Sequence, residues 1–113
     1  MDYTLELVES LKNMVPIQIS VPHQLGQQAA KDRVQLFLDS LQREYASQIS
    51  QVQGDWENNR LQFGFHTSGL PIACTLDVEQ ERVQVRSSLP LAAALFRGKI
   101  ESWIRDELQR VLS

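Results

Sequence analysis

The side chains best suited to metal binding or nucleophilic chemistry are two histidines and one cysteine, His23, His66 and Cys74. Neither histidine lies at a metal-ligand spacing from the other or from the cysteine, so the sequence predicts no metal site. His23 precedes a predicted helix, where we expect its ring to bond to the backbone. Cys74 falls among the inward-facing residues of a predicted strand, where a free cysteine usually acts as a small hydrophobic side chain. A nucleophilic role would need a neighbouring base, and the sequence indicates none.

The charged clusters also have simple explanations. Asp77, Glu79 and Glu81 lie at a strand end without the spacing or the glycine of a calcium loop, so a solvated turn is expected. Arg97-Gly98-Lys99 is a small basic spot that could contact an anionic surface, although an ordinary exposed face is the favoured interpretation. No phosphate-binding glycine loop surrounds Gly26. The sequence therefore predicts no catalytic residue and no cofactor, and we expect a protein that is not an enzyme.

Length and charge limit the possibilities further. The chain has 113 residues, a formal charge of -3 and a single cysteine, which fits one domain without an internal disulfide. The slightly acidic balance lacks the basic footprint of a nucleic-acid binder, and Phe63 and Phe65 are expected in the core rather than stacking on bases. No apolar run approaches the roughly 20 residues of a membrane span, and no signal peptide opens the chain. These features predict a soluble, cytoplasmic protein.

Residues 1–15 are predicted to form an N-terminal extension with an amphipathic helix. Tyr3, Leu7 and Leu11 fall near one face of that helix and are the candidate residues for docking on an apolar surface. The early part of this segment also alternates as a short strand would, so a strand remains an alternative. Residues 16–113 are predicted to form a single α+β domain.

That domain begins with a strand, because Ile17, Ile19 and Val21 alternate with polar residues between two prolines. Gly26 marks the turn into a helix. The apolar stripe of this helix consists of Ala30, Val34, Phe37, Leu38, Leu41 and Tyr45.

A second helix is predicted to begin at Pro90, since proline is tolerated in a first helical turn. Its apolar positions are Leu95, Phe96, Ile100, Trp103, Ile104, Leu108, Val111 and Leu112. Gly98 interrupts the helix at a cost of about 1 kcal/mol and is expected at a close backbone approach or a kink.

Between residues 47 and 89 the hydrophobic period changes to two, which predicts four antiparallel strands. Asn58-Asn59 favours a type I′ hairpin turn, and further turns are expected at Ser68-Gly69 and near Gln80-Glu81. The predicted pairs are Trp56–Leu61, Gly54–Phe63, Val52–Phe65, Phe65–Ile72, Phe63–Cys74, Leu61–Leu76, Val78–Val83, Leu76–Val85, Cys74–Ser87 and Ile72–Leu89. All of these residues share one apolar face, while the opposite face is polar.

These elements predict an antiparallel sheet in the order β-α-β-β-β-β-α, with both helices covering its apolar face in two layers. The middle row of that face is small apart from one phenylalanine. It consists of Gly54, Phe63, Cys74 and Ser87. We expect Trp103 of the last helix to fill the hollow beside this row.

The chain resembles the polyhydroxyalkanoic acid system protein family of bacteria over roughly residues 17 to 112. The matching residues are His23-Gln24-Leu25-Gly26, Ala30, Arg33, Trp56, Leu61-Gln62-Phe63, Gly69, Leu89-Pro90, Phe96-Arg97-Gly98-Lys99-Ile100-Glu101, Leu108 and Leu112. The chain departs from the family pattern at Glu57, where glycine is usual, and in carrying residues 1–15 before the first strand.

The resemblance implies a place in the storage of polyhydroxyalkanoate, an apolar polyester kept as cytoplasmic granules, with the granule surface or granule proteins as partners. It implies no catalytic residue. The first hypothesis is a non-enzymatic protein that is granule-associated or regulatory. The alternative, by analogy of fold, is a helix-grip-like binder of a small apolar ligand, held in a cavity at the Gly54, Cys74 and Ser87 row. A homo-oligomer is also left open.

Overall fold

The computed structural model describes residues 14–67, 69–90 and 95–113. The predicted N-terminal helix, with its candidate docking residues Tyr3, Leu7 and Leu11, lies outside these residues, apart from its last two positions.

The described chain has the predicted α+β fold. Its elements are β1 (Met14–Pro22), α1 (Gln27–Glu44), β2 (Ile49–Glu57), β3 (Arg60–Thr67), β4 (Leu70–Val78), β5 (Arg82–Pro90) and α2 (Arg97–Leu112). The five strands form one antiparallel sheet in the spatial order β1-β5-β4-β3-β2.

The strand order requires α1 to cross the sheet, because β1 and β2 lie at opposite edges although they are consecutive strands. A helix of 18 residues is about 27 Å long. Five strands at about 4.8 Å spacing span about 19 Å. The helix is therefore long enough to carry the chain from one edge to the other. The four strands that follow return by three tight hairpins.

Strand β1 pairs with β5 and places Ile17, Ile19 and Val21 in the core, each no more than 2% exposed. It begins at Met14, two residues before the predicted boundary, so Met14 and Val15 belong to a strand and the helix prediction is wrong for them. Pro16 lies within this strand instead of bounding it. An edge strand tolerates proline because one side of its backbone needs no ladder partner.

The hairpin registers agree with most of the predicted pairs. Trp56 and Gly54 pair with Leu61 and Phe63, and the three pairs predicted between β3 and β4 are all formed. The β4–β5 ladder runs from Val78–Val83 to Cys74–Ser87. The predicted Ile72–Leu89 pair is not part of that ladder, since β5 continues along β1 instead, with Leu89 opposite Val15.

Strand β2 differs from the prediction by a β-bulge. Ser50 pairs with His66 and Gln53 with Gly64, so both Gln51 and Val52 lie opposite Phe65. Gln51 takes a left-handed conformation with φ of 53°. The extra residue reverses the alternation, so Ile49 and Val52, three positions apart, both pack against the core.

The first hairpin turn is also not of type I′, which requires positive φ at both central residues. Of the two asparagines, only Asn58 has positive φ, at 56°. Its carbonyl oxygen accepts a hydrogen bond from Lys31 Nζ at 2.7 Å, which ties the turn to α1.

The two helices cover one face of the sheet and run antiparallel to each other. Arg33 Nη1 of α1 donates to the carbonyl oxygens of Val111 and Ser113 at the end of α2, at 3.1 and 3.3 Å. Near the other end of α1, the Tyr45 hydroxyl donates to Glu107 Oε1 at 3.2 Å. The predicted stripe of α1 is confirmed, with Tyr45 half-buried and the other five residues buried.

The start of α2 differs from the prediction. Pro90 is the last residue of β5, and the helix begins only at Arg97. Leu95 and Phe96, predicted in the apolar stripe, precede the helix and are 83% and 57% exposed. Gly98 marks no close approach, because a Cβ there would meet nothing within 4 Å.

Candidate functional site

The middle row of the sheet, predicted as an apolar pocket or core, is packed by α1 at Gly54. A Cβ on Gly54 would lie 2.6 Å from Leu38 Cδ2 and 3.4 Å from Leu61 Cδ1. Leu38 of α1 therefore fills the hollow that was expected to receive Trp103. Phe63, Cys74 and Ser87 are buried at 6%, 4% and 8% exposure.

A cavity of about 300 Å³ lies instead toward one end of the sheet, between the first turns of α2 and the strands. Its lining is mostly apolar and consists of Tyr45, Gln48, Ile49, Phe65, Thr67, Ile72, Lys99, Ile100 and Trp103. This volume reaches the lower bound, about 300 Å³, of pockets that hold small ligands. Of the five residues proposed from the sequence, only Trp103 contributes to it.

Aromatic contacts fix the inner wall of this cavity. The Trp103 ring meets Tyr45 edge-on at 5.4 Å between centroids and lies 6.3 Å from Phe37. On the sheet, Phe65 packs 5.4 Å from Phe63. Because these rings are held by both helices and by β3, the wall is set by packing between elements and not by a loop.

The opposite wall depends on the β-bulge. Ile49 lines the cavity because the extra residue in β2 turns it to the inner face, opposite Thr67. The spacing of three between Ile49 and Val52 was the available sequence signal, since a regular strand places such residues on opposite faces.

Two polar groups of the lining, the Lys99 ammonium and the Gln48 side-chain amide nitrogen, can donate hydrogen bonds to a ligand. Lys99 is exposed and therefore lies at the mouth, with its aliphatic stem along the apolar lining. Gln48 accepts a bond from Ser47 Oγ at 2.9 Å through its carbonyl oxygen Oε1. Its amide nitrogen makes no hydrogen bond to the described residues. The Thr67 hydroxyl donates to the carbonyl oxygen of Gln48 at 3.1 Å.

Next to this mouth, Leu95 and Phe96 form an exposed apolar pair, which we call the Leu95–Phe96 patch. Phe96 is four residues before Ile100 of the cavity, so the two lie on neighbouring turns. Arg97 Nε is paired with Glu101 Oε1 at 2.9 Å, while Lys99 forms no ion pair within the described part of the chain. The patch therefore joins two apolar side chains to one uncompensated positive charge.

His23 and Cys74, the two buried side chains of the set considered first, are both hydrogen-bonded within the fold. His23 is 8% exposed and bonds to backbone beside the start of α1, as expected. Burial raises the pKa of the Cys74 thiol, and a hydrogen bond with Ser87 opposes that shift. Ser87 Oγ in turn donates to the carbonyl oxygen of Ala73 at 2.6 Å. Over residues 14–67, 69–90 and 95–113, no group of three or more His, Cys, Asp or Glu side chains could hold a metal ion. Neither α1 nor α2 could cross a membrane.

The outer face of the sheet carries a small ion network. Asp77 Oδ1 accepts from Arg60 Nε at 2.7 Å, and its Oδ2 accepts from Arg86 Nη2 at 2.9 Å. These contacts, led by the hydrogen bond from Arg60, hold the pKa of Asp77 below its ordinary value. The network links three adjacent strands, β3, β4 and β5, on the solvent side.

Asp77→Asn is expected to lower the free energy of unfolding at neutral pH by at most about 1 kcal/mol, because the three side chains are partly exposed. A lowered carboxyl pKa contributes stability that is fully present above the unfolded value of about 3.9 and is lost as the pH falls through the folded value. The difference between wild type and Asp77→Asn, measured by urea denaturation, should therefore close as the pH falls below about 4. In an Arg60→Gln/Arg86→Gln background this pH-dependent difference should vanish. A difference that persists in acid would contradict the assignment.

The family described as "putative polyhydroxyalkanoic acid system protein" matches residues 17–112, from β1 to the last residue of α2. No curated protein and no solved structure matches the chain.

Proposed function

The chain belongs to the polyhydroxyalkanoic acid system protein family, and from this premise we propose that it is a non-enzymatic protein that docks on the surface of stored polyhydroxyalkanoate in the cytoplasm. The observation that carries the proposal is the exposure of the Leu95–Phe96 patch, 83% and 57%, beside an apolar cavity. The family name supports the polymer as the partner, and the patch supports the mode of contact.

The patch suits a polyester surface for two physical reasons. Burying a leucine or phenylalanine side chain is worth about 1.5–3 kcal/mol when it is fully transferred from water. The polymer is apolar along most of its length, and each linear chain has one hydroxyl end and one carboxylate end, so a cation beside the apolar residues adds attraction at the carboxylate end. Lys99 supplies that cation without an ion-pair partner of its own among the described residues. We expect two anchoring residues and one charge to give reversible docking.

The test is cosedimentation of the purified full-length protein with particles of polyhydroxyoctanoate. Leu95→Ser/Phe96→Ser is expected to lower the bound fraction so that the partition coefficient falls at least about tenfold, the effect of about 1.4 kcal/mol. Leu36→Ser is the matched control, since Leu36 is also exposed, at 56%, but lies on α1 and does not line the cavity. This control should bind as wild type does.

A wild-type protein that stays in the supernatant would overturn the proposal, and equal binding of the patch variant and the control would remove the patch from it. The N-terminal prediction is tested alongside by a Tyr3→Ser/Leu7→Ser/Leu11→Ser variant. Further loss of binding when this variant is combined with the patch variant would show that both segments contribute to docking.

A further inference from the structure

We propose that the cavity between α2 and the sheet binds the end of a single-chain monocarboxylic acid, with the carboxylate at Lys99 and the aliphatic chain between Trp103 and Ile72. This inference goes beyond surface docking. Lys99 takes part in both proposals, but neither Leu95 nor Phe96 lines the cavity, so the two sites can be tested separately.

The shape and lining of the cavity favour an aliphatic chain. About 300 Å³ is too small for a bulky cofactor and close to the lower limit for small-ligand sites. Apolar side chains from α2 and from three strands line it, among them Ile49, Phe65, Ile72, Ile100 and Trp103, and Tyr45 joins them from just after α1. A flexible hydrocarbon chain can fill such a space while leaving no polar group without a partner.

The polar groups at the mouth select the head group. The Lys99 ammonium can only donate hydrogen bonds, and the Gln48 amide nitrogen is also a donor. Of the acidic residues of α2, Glu101 is engaged with Arg97 at 2.9 Å and Glu107 with Arg110 at 2.8 Å, and Asp106 forms no ion pair with Lys99. The charge of Lys99 is therefore left for a ligand, and a head group that only accepts, such as a carboxylate, complements it.

Trp103 provides the readout. The chain has two tryptophans, and Trp56 is elsewhere, bonded through Nε1 to Gln35 Oε1 at 2.7 Å under Lys31. In a Trp56→Phe background the fluorescence reports on Trp103 alone. Titration with octanoate, below its micelle concentration, is expected to give a saturable change in Trp103 emission.

Two variants test the contributions of the ligand's aliphatic chain and of its head group separately. Ile100→Phe fills the cavity and should abolish the change in Trp103 emission with octanoate and with octanol. Lys99→Gln should lower the affinity for octanoate by about tenfold, which is the lower range for a hydrogen bond to a charged group at an exposed site. The affinity for octanol should not change. Circular dichroism checks that both variants are folded, and Ile49→Phe serves as a second way to fill the cavity if Ile100→Phe is not.

The outcomes are distinct from those of the docking experiment. No saturable change with octanoate, or an equal change in the filled variants, would overturn the site. Unchanged octanoate affinity in Lys99→Gln would overturn the assignment of a carboxylate.

The Leu95→Ser/Phe96→Ser variant should still bind octanoate even where it no longer binds particles. Tighter binding of β-hydroxyoctanoate than of octanoate would identify the polymer's monomer as the source, and equal binding would identify a fatty acid; either result supports the site.

Discussion

Replacing His23 with alanine is expected to lower the free energy of unfolding by about 2–4 kcal/mol, although His23 takes part in no proposed chemistry. The imidazole Nε2 donates to the carbonyl oxygen of Glu79 at 3.1 Å, and Nδ1 accepts from the backbone N–H of Leu25 at 3.2 Å. The backbone N–H of His23 also donates to the carbonyl oxygen of Glu81 at 2.9 Å. The ring therefore joins the end of β1, the entry to α1 and the β4–β5 turn.

The size of this effect follows from what alanine would leave behind. The carbonyl of Glu79 and the N–H of Leu25 would both lose a partner at a site where His23 is 8% exposed. A buried polar group without a partner costs about 1–3 kcal/mol, and because both of these bonds are only partly buried, each loss is expected near the lower end of that range. Equilibrium unfolding in urea measures it.

His66→Ala is the control that isolates the role of the hydrogen bonds. Its Nδ1 is buried but has no hydrogen-bond partner among the described residues. Truncating it therefore breaks no such network, and the expected change is within about 1 kcal/mol. Equal destabilisation by the two substitutions would show that ring packing, and not the hydrogen bonds of His23, explains the effect.

The position of His23 shows which part of the fold could be predicted from sequence. Its proximity to the helix start was visible, because Gly26 follows it and takes φ of 82°, a conformation that favours glycine. Its bond to Glu79, 56 residues away, was not visible. Hairpins join residues that are near in sequence, so period-two alternation and turn residues fixed most of the β2–β5 register. The placement of β1 on β5 is a long-range pairing that no local pattern encodes.

The residue that packs on the small middle row could not be predicted for a related reason. A row of small side chains in the sheet leaves space, but the sequence does not say which helix residue fills it. Leu38 fills the space at Gly54, and Trp103 packs instead on Tyr45 and Phe37. Helical periodicity gives the face that a residue occupies, whereas its partner across the layers depends on the crossing angle of the helix over the sheet. The cavity therefore had to be found in the structure.

The β-bulge leads to the second large prediction, a contrast between two single-residue deletions in β2. Removing Gln51 leaves Val52 alone opposite Phe65 and gives a regular ladder, with Ser50 and Ile49 still opposite His66 and Thr67. A non-glycine residue in the left-handed region costs about 1–2 kcal/mol, and the deletion relieves this cost. We therefore expect deletion of Gln51 to be tolerated, with little change in the free energy of unfolding.

Removing Gln53 instead shortens β2 by the same amount and also gives a regular ladder, but with the opposite result for two side chains. Val52 would then lie opposite Gly64 on the polar face, and Gln51 opposite Phe65 on the apolar face. Exposing a valine costs up to about 1.5–3 kcal/mol, and burying an amide without a partner costs about 1–3 kcal/mol.

Since both sites are only partly buried, the variant that lacks Gln53 should be less stable than the variant that lacks Gln51 by about 2–4 kcal/mol in free energy of unfolding, measured by urea denaturation. Equal stability of the two variants would mean that the bulge does not set which residues of β2 face the helices. Ile49 stays opposite Thr67 in both variants. If the variant that lacks Gln51 still binds octanoate, the cavity needs the position of Ile49 and not the bulge itself.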